Sequence, residues 1–148
     1  MKNLLILTFL LAASAAFSQT IQFNGFPQDH STGQRLKGFT LEVYRNDVLV
    51  TTEEVRGKKV KLNLEGPGQF WVRISKEGYE DFFFGSDLSN APATQESWKL
   101  DLPCELFIQG TGKAHERLCA MMVYRQNKEM GFDITPMTYG ELRSKLKI

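Results

Sequence analysis

The chain has 148 residues, with 18 Lys and Arg against 17 Asp and Glu, a formal net charge of +1, and only two cysteines and two histidines. With no basic run, that balance gives no electrostatic footprint for a nucleic acid or an anionic membrane, and both partner classes are set aside. The 11 Phe, 4 Tyr and 2 Trp suit strands and interfaces better than a helical bundle.

Residues 1–18 follow the export pattern: Lys2 is the positive start, Leu4 to Ala13 is a short apolar run, and Ala16-Phe17-Ser18 places small residues at the cleavage site. Cleavage is expected before Gln19. The run is too short to cross a bilayer and no later segment approaches membrane-span length, so no transmembrane segment is expected. The first cysteine is Cys104, which leaves no lipid-anchoring thiol at the cleavage point. Removing 18 of 148 residues leaves 130, a size for one domain over 19–148, and losing Lys2 brings the net charge to zero. The expected location is periplasmic or secreted, as a soluble protein.

Ile21 and Phe23 open a first strand, and Gln28 to Gly33 is a polar turn region. Phe39, Leu41 and Val43 alternate with Thr40, Glu42 and Tyr44 for a second strand that stops at Asn46-Asp47, and Val48 to Thr52 returns as its hairpin partner. Val60, Leu62 and Leu64 mark a fourth strand. Gln69 to Ser75 alternates strictly between the Gly66-Pro67-Gly68 and Glu77-Gly78 turns and is the fifth; Tyr79 to Phe84 extends a sixth. Gly85 to Gln95 carries Ser, Asn, Ala and Pro without a period and reads as a loop, after which Trp98, Leu100 and Leu102 alternate with Ser97, Lys99 and Asp101. Short strands at regular spacing predict an all-β antiparallel sandwich of about seven strands with its core over 20–103. Over 104–148 the sequence predicts a hairpin from Glu105–Ile108 and Leu118–Tyr124, then a short helix whose capping box is Thr138 with Glu141 ahead of Leu142 and Leu146.

Phe23-x-Gly25, Thr32-Gly33, Leu36-x-Gly38, Val43, Gly66-Pro67-Gly68, Phe70-x-Val72 and Lys76-x-Gly78-Tyr79 resemble the carboxypeptidase regulatory-like domain, a prealbumin-like sandwich. The match spans roughly residues 20 to 84 and consists of turn chemistry, so it bears on fold more than on function. The tail, from Leu106-Phe107 through Ala120, Tyr124 and Phe132-Asp133, is similar to the ends of small exported proteins associated with gliding motility and the cell envelope. The resemblance implies a non-catalytic module whose partner is a cell-envelope protein or a glycan.

Catalysis would have to be built around His30 or His115, with Asp29, Ser31 or Ser144 as partners, and no nucleophile-elbow motif accompanies them. The related hydroxyisourate hydrolases end in Tyr-Arg-Gly-Ser, whereas this chain has Tyr124-Arg125-Gln126-Asn127 and ends Lys147-Ile148. Cys104, Cys119, His30 and His115 are zinc-ligand types at no zinc spacing, and Asp29, Glu53, Glu54, Asp81 and Asp87 lack a calcium-loop signature. No metal or cofactor is expected.

Two features leave alternatives open. In a strand Phe82 and Phe84 share one face and Phe83 takes the other, so either both faces are covered, with the C-terminal tail as one cover, or the run is an exposed binding site with Tyr79 and Trp71. Cys104 and Cys119 would face each other if the C-terminal hairpin turned at Thr111-Gly112, giving a structural disulfide; otherwise they are buried free thiols. The expected function is a non-catalytic exported binding or scaffold module of the cell envelope that engages a protein through an edge strand or an aromatic face. A carbohydrate-binding module is the alternative, and a small hydrolase comes third.

Overall fold

The computed structural model describes residues 19–92, 97–111, 118–125 and 131–148. Residues 1–18, over which an export segment is expected, and His115 lie outside the described residues. The elements are β1 (Thr20–Asp29), β2 (Phe39–Arg45), β3 (Val48–Val55), β4 (Val60–Glu65), β5 (Gln69–Ser75), β6 (Phe82–Asp87), β7 (Ser97–Leu106), β8 (Leu118–Tyr124), β9 (Phe132–Thr138) and the helix α1 (Tyr139–Leu146).

Alternation decides the layers. Along β1 every second residue is buried, and Ile21 and Phe23 point inward beside Val60 and Leu64 of β4. These side chains meet Leu41 and Val43 of β2, Val72 and Ile74 of β5 and Phe84 of β6 in one apolar core between two sheets. The smaller sheet runs β4-β1-β7 and the larger β3-β2-β5-β6-β8-β9, so the chain is a β-sandwich. The β2–β3 connection turns on Asn46 (φ 49°) and Asp47 (φ 66°), two successive left-handed residues of the kind a two-residue hairpin turn demands.

Three differences from the sequence reading have physical causes. The sheets are mixed rather than purely antiparallel: β7 lies parallel to β1 and β8 parallel to β6. Alternation reports which face a strand buries and carries no information about pairing direction. The predicted hairpin of 105–108 with 118–124 is not formed, because Glu105 and Leu106 end β7 while β8 pairs with the unforeseen β9. The sixth strand starts three residues later than expected and continues through Gly85 and Ser86, both buried.

The C-terminal helix matches expectation. Thr138 accepts from the Glu141 backbone N–H while the Glu141 side chain accepts from the Thr138 backbone N–H, which closes the capping box. Tyr139, Leu142 and Leu146 lay the helix on the outer face of the large sheet, over Trp71, Phe83, Cys119 and Met121. This third layer decides how the aromatic run is used. Phe84 stacks on Phe23 with ring centroids 5.2 Å apart, and Phe83 meets Tyr139 edge-on at 5.5 Å. Trp71, Phe83 and Phe84 are 0, 4 and 3% exposed, Phe82 packs against the main core, and Tyr79 is half-buried. The exposed aromatic site is therefore not formed, because core and helix cover both faces of the run.

The disulfide is not formed either. Cys104 stands opposite Pro27 in the small sheet and Cys119 opposite Met137 in the large one. Both are buried free thiols, Cys104 in the core between the sheets and Cys119 in the cluster under α1. The large sheet separates them.

Candidate functional site

Three strands cannot cover six. The small sheet sits over the middle of the large one, and at the β9 end the larger sheet extends past its cover. There the two layers part into an apolar cleft of about 370 Å³ between Leu100 and Leu102 of β7 and Ala120, Met122, Phe132 and Ile134 of β8 and β9, with Phe84 behind. Ile134 is 72% exposed although it faces this space. Trp98, Tyr124 and Phe132 pack around one end, with centroid separations of 5.7, 5.2 and 5.7 Å.

The same strand that walls the cleft also borders it with backbone. Among the described strands β7 pairs with β1 alone, so its second edge has no ladder partner there. Trp98, Leu100 and Leu102 project to the cleft side, while Ser97, Lys99 and Asp101 project outward and are exposed. Pro103 sits on this edge strand, where a missing N–H is tolerated. The arrangement sets apolar contact beside a strand edge that has no ladder partner among the described strands, with no ionisable group lining the cleft.

The residues singled out for catalysis do not come together as a triad. Nδ1 of His30 lies 3.0 Å from Oε2 of Glu105, and the ring stacks on Phe107 at 4.0 Å. Asp29 is committed to its own turn: it accepts from the backbone N–H groups of Ser31 and Thr32 at 2.7 and 2.9 Å, and from the Tyr79 hydroxyl at 2.9 Å. Ser144 lies on α1, over the large sheet. Glu54 accepts from the Thr40 hydroxyl, Asp87 from the Ser89 N–H, and Asp81 binds Arg73, so these acidic residues serve separate local contacts. Among the described residues no group of three or more His, Cys, Asp or Glu is placed to hold a metal ion.

Arg73 organises the most elaborate polar cluster. It bonds Glu42, directly opposite on β2, at 2.7 Å and Asp81 at 2.8 Å, and the Tyr44 hydroxyl donates to the same Glu42 oxygen at 3.0 Å. Burial alone would lower the Arg73 pKa, and the two carboxylates more than offset it, so the guanidinium is held charged. Tyr44 is pushed above its ordinary value by burial and then by Glu42. Every polar group here has a partner, which suits a strut between strands β2 and β5 better than a reacting site.

No family model matches the chain, and no curated protein matches it. Among solved structures it is similar to 3-chlorocatechol 1,2-dioxygenase from Rhodococcus opacus 1CP, with TM-score 0.40 and 14% identity over 60% of this chain and 59% of that one. It is also similar to chlorocatechol 1,2-dioxygenase from Pseudomonas putida, with TM-score 0.38 and 10% identity over 62% and 60%. A third likeness is to 5-hydroxyisourate hydrolase of Klebsiella pneumoniae, with TM-score 0.34 and 9% identity over 79% and 99%. The matches span about three fifths of each dioxygenase.

Proposed function

We propose that the chain is a non-catalytic binding module that receives an extended segment of a partner polypeptide along the outer edge of β7. The observation that supports this reading is the adjacency of an apolar cleft to the outer edge of β7, which among the described strands has no ladder partner. An added strand would complete the hydrogen bonding of β7, and its period of two would send every second side chain toward Leu102, Met122 and Ile134. The main-chain bonds would supply affinity and the cleft would select for apolar residues at alternate positions. The export pattern of residues 1–18 favours an exported protein, and the similarity of the tail, from Leu106-Phe107 through Phe132-Asp133, to the ends of small exported proteins favours a partner in the cell envelope. The aromatic-face mode of docking is dropped, since Trp71, Phe83 and Phe84 are buried.

The test is selection of peptides from a displayed library on the folded chain, repeated with Ile134→Asp. Ile134 is exposed, so the substitution places a charge at the cleft mouth at little cost to folding. Selected peptides should show alternating apolar residues and should bind Ile134→Asp at least tenfold more weakly. Peptides without that pattern, or with unchanged affinity for the variant, would remove the proposal.

A further inference from the structure

A second concavity, on the opposite side of the small sheet, plays no part in the proposed peptide site. The ladder registers place Lys61, Asn24 and Asp101 in one row across β4, β1 and β7, all on the outer face. Phe26 lies two residues further along β1 on that face. The turn after β1 then folds back along the strand, with the Leu36 N–H bonded to the Pro27 carbonyl at 2.8 Å and Arg35 bridged to Gln28. This return lays the Arg35 guanidinium 4.2 Å above the Phe26 ring. Together with Lys59 these groups enclose about 360 Å³, within the size range of small-ligand sites.

The cations of this cup stand without carboxylate partners, whereas several others in the chain are tied down. Arg73 is bound by two carboxylates, Lys145 reaches Asp47 and Gln69, Arg125 reaches Asp133, and Lys76 bonds two carbonyls. Arg35, Lys59, Lys61 and Asp101 form no ion pair among the described residues, and three cations stand against one carboxylate. A chain with 18 basic and 17 acidic residues has gathered a local positive excess over an aromatic ring, with an amide and a carboxylate in the same row.

We propose that this cup binds a carboxylated saccharide. The apolar face of a pyranose packs on the Phe26–Arg35 pair, its carboxylate takes charge-assisted bonds from Lys59 and Lys61, and its hydroxyls pair with the Asn24 amide and the Asp101 carboxylate. Each of the groups then has a use. A neutral sugar would take no charge-assisted bond from Lys59 or Lys61, and an inorganic phosphate would leave Phe26 idle and sit against Asp101.

The test is calorimetric titration of the full chain with trigalacturonate at low ionic strength, with inorganic phosphate and a dextran trisaccharide as the other ligands. Saturable trigalacturonate binding is expected, at least tenfold tighter than either comparison ligand. It should weaken at least tenfold in Lys61→Gln and in Phe26→Leu. Lys61 is exposed, so its variant keeps the test intact even if Phe26→Leu folds poorly. Arg125→Gln, an equal charge change on the large sheet, should bind as the parent does, and so should Ile134→Asp in the peptide cleft. Absence of binding, equal binding of phosphate or dextran, or an equal loss in Arg125→Gln would each overturn the assignment.

Discussion

Gly85 stands directly opposite Trp71 in the β5–β6 ladder, and a Cβ on Gly85 would meet the indole carbons Cε3 and Cζ3 at 2.7 Å. Trp71 is fully buried beneath α1, so its ring cannot move aside without disturbing the helix layer. The glycine is needed for space.

Gly85→Ala is therefore expected to destabilise the fold by about 1 to 3 kcal/mol, the usual cost of overpacking a filled core. Urea unfolding followed by Trp fluorescence measures it. In a Trp71→Leu background, followed by circular dichroism, the same substitution should cost clearly less, because the group it collides with is gone. An unchanged cost in that background would show that the ring is not the obstacle.

The residues around this pair also show what the sequence could and could not reveal. Strands β1, β2, β4, β5 and β7 were legible because each buries one face against the core, and a half-buried strand writes a period of two into its side chains. Strand β6 was misframed, since Gly85 and Ser86 are buried through small size rather than through hydrophobicity and break the pattern. Strand β9 gave no signal. It lies at the sheet edge, Ile134, Thr135 and Pro136 are exposed, and a strand that buries little has little periodicity to read. The cleft needs β9 as one wall, so it was hidden with it. The outer cup was hidden for another reason: Lys61, Asn24 and Asp101 are far apart in sequence, and only the β4-β1-β7 registers align them. The cover over Phe83 was foreseeable as one of two outcomes, because the capping box of α1 is a local signal whereas its docking on Trp71 and Phe83 is not.

Asp29 and Tyr79 form a latch whose two ends titrate in opposite directions. The Thr32 backbone N–H, followed by the Tyr79 hydroxyl, holds the Asp29 carboxyl below its ordinary 3.8, and the same hydrogen bond to Asp29 holds Tyr79 above its ordinary 10.0. A carboxylate lowered in the folded state contributes stability above its unfolded value and loses it as pH falls through the folded one. A phenol raised in the folded state contributes below its unfolded value and loses it as pH rises through the folded one. The stability difference between the parent and Asp29→Asn should accordingly be level between about pH 5 and 9 and shrink outside that window on both sides. When Asp29→Asn is instead made in a Tyr79→Phe background, the alkaline decline of its effect should vanish while part of the acid one remains through the turn N–H groups. Urea midpoints across pH check this, and a difference that stays constant below pH 4 would dispose of the latch.

The separated thiols lead to a prediction in which each cysteine reports on its own layer. Burial pushes the Cys104 thiol up to about 12, so at pH 8 almost none of it is the thiolate that alkylating agents attack. Cys104 is 0% exposed and Cys119 5%, so neither should react in the native state, and both should react in denaturant without reductant. A denatured chain with no alkylatable thiol would restore the bridge and contradict the sheet assignment of the two residues. The layers can then be opened one at a time. Leu142 is fully buried in the cluster that contains Cys119, and Leu142→Ala should cost about 2 to 5 kcal/mol, largely by loosening α1 from the sheet. If the helix lifts before the sandwich opens, labelling of Cys119 in this variant should accelerate by at least tenfold while Cys104, between the sheets, keeps the rate set by global unfolding. Equal acceleration at both positions, read by peptide mass mapping, would mean that helix and sandwich unfold as one unit.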